Sequence, residues 1–291
     1  MPAAAFSALQ IRRYYDLQTD GFLALGQGGG EAAIHRAVWG PGVTTRSAAF
    51  HFVEDQIADA LPRLAAATGG TAPHVVDLGC GVGGSLTYLA SRSPIRGTGV
   101  TLSPVQARIA ADRIDRLNLA GRVTCIEGDY TSVPASVAPA DLAFAIESFV
   151  HGPSPEAFFA ESARLVRPGG ILVICDDARR PTSDPAAAGA LERYQRGWHV
   201  NTLLTHEEMI ACAEAAGFTH DHTTNLTPWL ELGRPRDIAI GLFVALFGWL
   251  PLHRTPLGHL IGGSALHRCL TRGWIGYDIV WLRRVQVRSE E

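Results

Sequence analysis

Residues 75–85 read Val75-Val76-Asp77-Leu78-Gly79-Cys80-Gly81-Val82-Gly83-Gly84-Ser85, and this stretch decides the fold. A short apolar run enters a cluster of glycines, and a helical pattern through Leu86 to Ala90 follows at once. Glycines at a strand-to-helix turn let the backbone bend tightly and approach a ligand that a Cβ would obstruct. A dinucleotide-binding turn is the rival reading, and Asp77, placed before the first glycine, weighs against it.

Outward from this turn the chain alternates. Strands are expected over 74–78, 97–102, 123–127, 141–146 and 171–176, separated by helices over 104–117 and 155–166, with a stop and turn at Arg167-Pro168-Gly169-Gly170. Short apolar strands separated by helices are the pattern of a parallel sheet with right-handed crossovers. The helix from Thr205 to Ala216 opens with Thr205 and Glu208 in capping-box spacing and stops at Gly217; strands over 219–225 and 274–287 complete the set. The expected fold is therefore α/β and Rossmann-like, with helices on both faces. An N-terminal helical cap covers 1–70. The core covers 71–178 and 205–230, lid insertions cover 179–204 and 231–271, and the last strand and tail cover 272–291.

Composition removes several function classes. The chain has 291 residues, 47% of them hydrophobic, enough for a large core, and a net charge of −3. All 25 basic residues are Arg and lie scattered among acids, so nucleic acid is not the expected partner. The five cysteines are odd in number, widely spaced and mostly within apolar runs, which predicts buried, reduced thiols in a cytoplasmic protein. The start lacks the charged and apolar regions of a signal peptide. The longest apolar run, 238–250, has 13 residues against the ~20 of a spanning helix. It reads as a buried or lid helix, with interfacial membrane contact through Trp249, Arg236 and Arg254 as the lesser reading.

Four further segments, in this order after the glycine turn, make the resemblance specific: Gly99 to Gln106, Gly128-Asp129-Tyr130, Glu147-Ser148-Phe149-Val150-His151, and Arg164 to Ile174. Over roughly residues 71–230 the chain resembles the class I methyltransferases that use S-adenosylmethionine. Within these it looks most like the sterol, tocopherol and geranyl-diphosphate C-methyltransferases. The resemblance implies a seven-stranded, mostly parallel sheet with a reversed last strand, and S-adenosyl-L-methionine bound at the carboxyl ends of the strands. It implies that Asp77, Gly79, Gly81 and Gly83 line the methionine and ribose part of the cofactor, and that Asp129 accepts from the adenine amino group beside Tyr130. Thr101, next to Leu102, stands where many members carry an acid gripping both ribose hydroxyls; a single hydroxyl makes a weaker contact. Ser103 and Gln106 are further candidates.

Glu147 and His151, just past a strand, fall at the mouth of the expected cleft, and each is a candidate base that removes a proton from the acceptor or a cationic intermediate. A carboxyl group in a largely apolar cleft suits that task near neutrality. The bland alternative makes Glu147 a cap or arginine partner and His151 a solvated loop residue. In the cap, Tyr14-Tyr15-Asp16 and Ile34 to Trp39 resemble the family's N-terminal segment, so Tyr14, His35, Trp39, Trp198 and Trp229 are the candidate substrate residues. Aromatic faces stabilise a carbocation without offering a nucleophile. Tyr14 and Trp39 as plain core is the competing view. His220-Asp221-His222 is not expected to bind metal, because no third ligand is evident. Arg179-Arg180 and Arg234-Pro235-Arg236 read as solvated loop arginines rather than a diphosphate site.

The expectation is a methyltransferase for a small lipophilic acceptor, an isoprenoid or an electron-rich aromatic such as an indole in secondary metabolism. Carbon is the preferred methylated atom, with O- or N-methylation as the alternative. A non-catalytic cofactor-binding partner and a nicotinamide-dependent reductase are the rival classes. The oligomeric state stays open, a homodimer included.

Overall fold

The computed structural model describes residues 6–25, 34–234, 244 and 258–286. Apart from Val244, the apolar run 238–250 and its flanking Arg236 and Arg254 lie outside these residues, as do Gly28 to Gly30. The N-terminal helices are α1 (Ala8–Leu25), α2 (Arg46–Phe50) and α3 (Phe52–Ala67). Strands β1 (His74–Leu78), β2 (Arg96–Thr101), β3 (Val123–Glu127) and β4 (Ala140–Ile146) alternate with α4 (Gly84–Arg92) and α5 (Pro104–Arg116). Then come α6 (Pro155–Leu165), β5 (Val166–Arg179), α7 (Pro185–Trp198), α8 (His206–Ala215), β6 (Phe218–Asn225), α9 (Gly258–Thr271) and β7 (Ile275–Arg284).

The seven strands form one sheet in the order β3-β2-β1-β4-β5-β7-β6, with β7 antiparallel to both neighbours and the other pairs parallel. The chain first builds outward from β1 through β2 to β3, then returns to the other side of β1 with β4. That reversal opens a crevice beyond the carboxyl ends of β1 and β4, where ligands bind in such sheets. The central strands are apolar on both faces because helices cover both. Alternate residues separate by the period of two. Val75, Leu142, Phe144 and Val173 join the cluster under α3 and α4, while Val76, Ala143, Leu172 and Ile174 join Phe158, Phe159 and Met209 of α6 and α8.

Caps fall where the sequence places them. Thr205 accepts from the Glu208 N–H while Glu208 reaches back to the Thr205 N–H, and Ser103, Ser154 and Asp184 accept from the first turns of α5, α6 and α7. One boundary differs. Arg167 to Gly170 does not precede the fifth strand but lies inside it: Val166 already pairs with Ala140, and an irregularity is absorbed before Ile171 pairs with Leu142, with Gly169 at φ +79. Two segments outside the alternation meet over the crevice. Helices α7 and α9 bury Ala190, Tyr194, Ala265, Leu266 and Cys269 against each other, and Gly262 lets the backbones approach closely at Gly197. Among the described residues no helix is long and apolar enough to cross a membrane.

Candidate active site

A cavity of about 740 Å³ lies at the switch point, bounded by the ends of β1, β2, β4 and β5 and roofed by α1, α7 and α9. Its walls fall into two halves.

The first half is the glycine turn. Gly79, Gly81 and Gly83 all have positive φ, at +105, +51 and +75. Gly79 is pressed against Ser148, so that a Cβ there has no room, whereas a Cβ on Gly81 would meet only Ile34 at 3.9 Å and would project into the space beside it. Gly83 is not on the cavity wall: it caps α4, and its backbone lies close to Ala110 of α5. Asp77 lines the cavity at 3% exposure, and burial, then the nearby Cys125 and Glu54, push its carboxyl well above the usual range. Burial favours the neutral form of this acid, and a cation placed beside it, such as either cationic group of S-adenosylmethionine, would favour its charged form again. Asp129 and Tyr130 line the same half. Asp129 Oδ1 accepts from the Thr131 N–H and hydroxyl, and Tyr130 donates to the Ser148 carbonyl at 2.7 Å. Thr101, Leu102 and Gln106 also line it, but the Thr101 hydroxyl donates to Gln106 Oε1 at 2.8 Å and so is engaged within the protein. The acid before the turn, the open Gly81 and the acid at 129 fit the cofactor.

The second half is polar at its floor and apolar above. His151 Nδ1 lies 3.2 Å from the His199 carbonyl oxygen, which can only accept, so Nδ1 carries the hydrogen. Nε2 is then an acceptor, and Tyr15 of α1 donates its hydroxyl to it at 2.7 Å. Burial holds His151 down at about 4, so the ring is neutral near pH 7. Glu147, with φ +49, accepts at Oε1 from the Arg36 N–H at 2.8 Å and the Tyr277 hydroxyl at 2.9 Å. The Arg36 guanidinium forks onto Asp177 at 2.6 and 2.8 Å and lies 4.6 Å from the Tyr277 ring centre; Tyr194 donates to the same carboxylate. Asp176 accepts from the N–H groups of Val150 and Asp177, and burial raises its carboxyl well above the usual range. Beside the floor, His35 is bound to the fully buried Glu54 at 2.8 Å. Burial opposes its charge, but Glu54 prevails and lifts His35 to about 9.

Of the candidate substrate residues, His35 and Trp198 line the cavity. Tyr14, Trp39 and Trp229 do not: Tyr14 packs on Tyr15 and His199, Trp39 on the cluster of Ala37, Ala49 and Phe50, and Trp229 on Phe52. Tyr15, Arg36, Asp176, Asp177 and Tyr194 are wall residues that the sequence reading passed over. Ala8, Ile11, Tyr15 and Gln18 line the cavity at helical spacing, a signal that separates Tyr15 from Tyr14. The paired acids ending a fully buried strand were the second available signal.

The discounted clusters have other partners. His220 bonds Thr223 at 2.9 Å, whereas His222, beyond a register shift, stacks on Trp281. No group of three or more potential metal ligands occurs among the described residues. Arg179 is a surface arginine as expected, paired with the exposed Glu208, whereas Arg180 reaches the buried Asp278 and is not the solvated arginine expected from sequence. Arg234 is on the cavity wall, 3.8 Å from Glu231.

Comparison with known proteins agrees with this geometry. The family model described as a methyltransferase domain matches residues 76–174. Erythromycin 3''-O-methyltransferase of Saccharopolyspora erythraea is 30% identical over 238 residues, 76% of this chain and 74% of that protein. Tocopherol O-methyltransferase of Arabidopsis thaliana is 37% identical over 157 residues, 48% of this chain and 45% of that one. Among solved structures, geranyl diphosphate C-methyltransferase from Streptomyces coelicolor A3(2), in complex with Mg2+, geranyl diphosphate and S-adenosyl-L-homocysteine, superposes with a TM-score of 0.67. That match is 19% identical and covers 97% of this chain and 100% of that one. Sheet order, glycine turn, acid at 129 and these relatives coincide, and the chain belongs to the class I S-adenosylmethionine-dependent methyltransferases.

Proposed function

We propose that this enzyme methylates a hydroxyl group of a small, largely apolar, uncharged natural product, with His151 as the base. The observation that carries this reading is the neutral His151 on the cavity wall, whose Nε2 accepts from the hydroxyl of Tyr15, a second wall residue. S-adenosylmethionine supplies an electrophilic methyl group on its sulfonium. The chain then has to bring an acceptor oxygen into line with that methyl and receive its proton. The single lone pair of Nε2 is taken by the Tyr15 hydroxyl, so the proton travels through Tyr15: its Oη accepts from the acceptor hydroxyl while its own proton passes to Nε2, whose ring is fixed by the His199 carbonyl. Glu147, held by Arg36 and Tyr277, shapes the floor.

Charge supports a neutral acceptor. Glu147, Asp176, Asp177 and Glu231 line this half against Arg36 and Arg234, and Arg36 already forks onto Asp177. A diphosphate would meet acids there rather than free arginine forks. The leucines 230, 232, 260, 266 and 270 with Trp198 give the upper wall its apolar character. The relative named for 3''-O-methylation of erythromycin fits this reading.

Carbon methylation is the second reading, favoured by the Glu147 carboxylate on the wall and by the geranyl-diphosphate C-methyltransferase fold. Against it, three of the four aromatic candidates for holding a carbocation, Tyr14, Trp39 and Trp229, lie off the wall. The test is a methyl-mass screen of hydroxylated and non-hydroxylated lipophilic acceptors, with His151→Ala and Glu147→Gln alongside. O-methylated products, lost in His151→Ala while S-adenosylhomocysteine still binds, support the proposal. C-methylated products whose formation requires Glu147 but not His151 would replace it with the second reading.

A further inference from the structure

Of the five cysteines, Cys80 and Cys125 have sulfurs in contact, 3.3 Å apart. Cys80 sits inside the glycine turn between Gly79 and Gly81 and lines the cavity, whereas Cys125 lies on β3, the edge strand, two strands from β1. Gly99 makes the contact possible. It pairs in register with Asp77 on one side and Cys125 on the other, and a Cβ there would stand 2.7 Å from Cys80 Sγ and 2.8 Å from its Cβ. The missing side chain leaves a channel across β2 through which the Cys80 thiol reaches β3. Either thiol can donate in this contact; the contact and burial push the Cys80 thiol up, while the contact draws the Cys125 thiol down and makes it the readier thiolate. Cys125 is also the more exposed of the two, being half-buried at the sheet edge.

We propose that Cys80 and Cys125 form a modification site, a thiol pair that a hydroperoxide oxidises to a disulfide, clamping the cofactor turn to the edge strand and weakening cofactor binding. The Cys125 thiolate attacks one peroxide oxygen, the O–O bond breaks, and protonation of the leaving oxygen gives a sulfenic acid at Cys125 together with water from hydrogen peroxide, or an alcohol from an organic hydroperoxide. Cys80 sulfur then attacks the sulfenic sulfur: the S–S bond forms, the S–O bond breaks, and the departing hydroxide takes the Cys80 proton to form water. Two thiols thus lose two electrons and two protons to one peroxide. A disulfide is ~2.05 Å long, so the sulfurs must close by about 1.2 Å. Cys125 is held in a strand ladder and Cys80 in a turn, so the turn follows, carrying the Gly79 and Gly81 backbone that faces the cofactor. Such a shift at a ligand-contacting backbone is expected to weaken binding about tenfold or more.

The inference rests on the glycine turn being the cofactor site, so the test reads the bond and the binding separately. The full chain is treated with hydrogen peroxide, digested without reductant and analysed by mass for a Cys80–Cys125 cross-linked peptide lacking two hydrogens. In parallel, S-adenosylhomocysteine is titrated into reduced, oxidised and dithiothreitol-restored protein, and into Cys125→Ser and Cys125→Ala treated identically. The expected result is the cross-link, at least tenfold weaker binding that dithiothreitol reverses, and peroxide-insensitive binding in both variants. Thiol oxidation without this cross-link, unchanged affinity in the cross-linked protein, or equal loss of binding in the Cys125 variants overturns the proposal. A reduced wild type that fails to bind S-adenosylhomocysteine would instead contradict the cofactor site, and the clamp's effect on binding with it, while the peptide mass still decides the disulfide.

Discussion

The buried pair of His35 and Glu54 makes the enzyme lose stability in alkali, and replacing His35 by Gln removes that loss. Glu54 is fully buried and His35 nearly so, with 2.8 Å between them, and Ser85 at the start of α4 donates to the same carboxylate oxygen. The pair therefore ties α3 to the helix that follows the glycine turn. Burial disfavours the imidazolium, yet Glu54 lifts His35 from 6.5 to about 9. At ~1.36 kcal/mol per tenfold change, this corresponds to about 3 kcal/mol of folding free energy. The low position of the Glu54 carboxyl is the other face of the same interaction and adds nothing further. Because the folded value is raised, the contribution is complete below pH 6.5 and disappears as pH rises through 9. Urea unfolding at pH 6 and pH 9.5 measures it. Wild type should exceed His35→Gln by about 3 kcal/mol at pH 6 and by little at pH 9.5. If the two proteins decline in parallel between these pH values, His35 is not charged in the folded state and the reasoning fails.

Other consequences are sharper in single measurements. With His151 held at about 4, the acid limb of kcat/KM should fall near pH 4 rather than 6.5, a difference that a pH–rate profile resolves. Asp129→Ala should weaken S-adenosylhomocysteine about tenfold to a hundredfold by calorimetry, the range for losing a hydrogen bond to a charged group. Gly79→Ala places a side chain at φ +105 against Ser148, and should cost at least about 2 kcal/mol in chemical unfolding as well as cofactor affinity. Arg180→Met strands Asp278, 2% exposed, without its counter-charge, and should cost about 3–5 kcal/mol, partly recovered by adding Asp278→Asn.

The sheet was legible because its signals are local. Strands β1 and β3 fall at the residues expected, and the α8 capping box is present as read. The exception at Arg167 to Gly170 is instructive, since a proline and two glycines normally end a strand; here pairing to β4 on either side, at Val166 and again at Ile171, carries the strand across them. The glycine turn alone did not discriminate among ligands. Gly79, Gly81 and Gly84 also satisfy the dinucleotide spacing, so Asp129 and the order of the later segments made the difference. The acceptor half was less legible. Tyr14 and Tyr15 are equivalent as residue types, and only the face of α1 that meets the cavity separates them. Arg36 and Asp177 are 141 residues apart, and nothing local announces their pairing.

Helix α1 is where the two halves of the cavity are joined. Tyr15 donates to His151 at the acceptor floor, Asp16 accepts from Ser103 at 2.5 Å, and the buried Thr19 hydroxyl accepts from Gln106 at 3.2 Å while donating to the Tyr15 carbonyl. Ser103 and Gln106 belong to the turn after β2, at the cofactor end. One helical turn thus contacts both the His151 ring and the wall of the cofactor half, and this part of α1 cannot shift at one without disturbing the other. Such an arrangement fixes one half of the cavity relative to the other, and relative positioning of this kind is a part of a reaction barrier that a protein can lower. The Thr101 hydroxyl serves Gln106, and Gln106 serves Thr19, so this position contributes to anchoring the helix that closes the cavity.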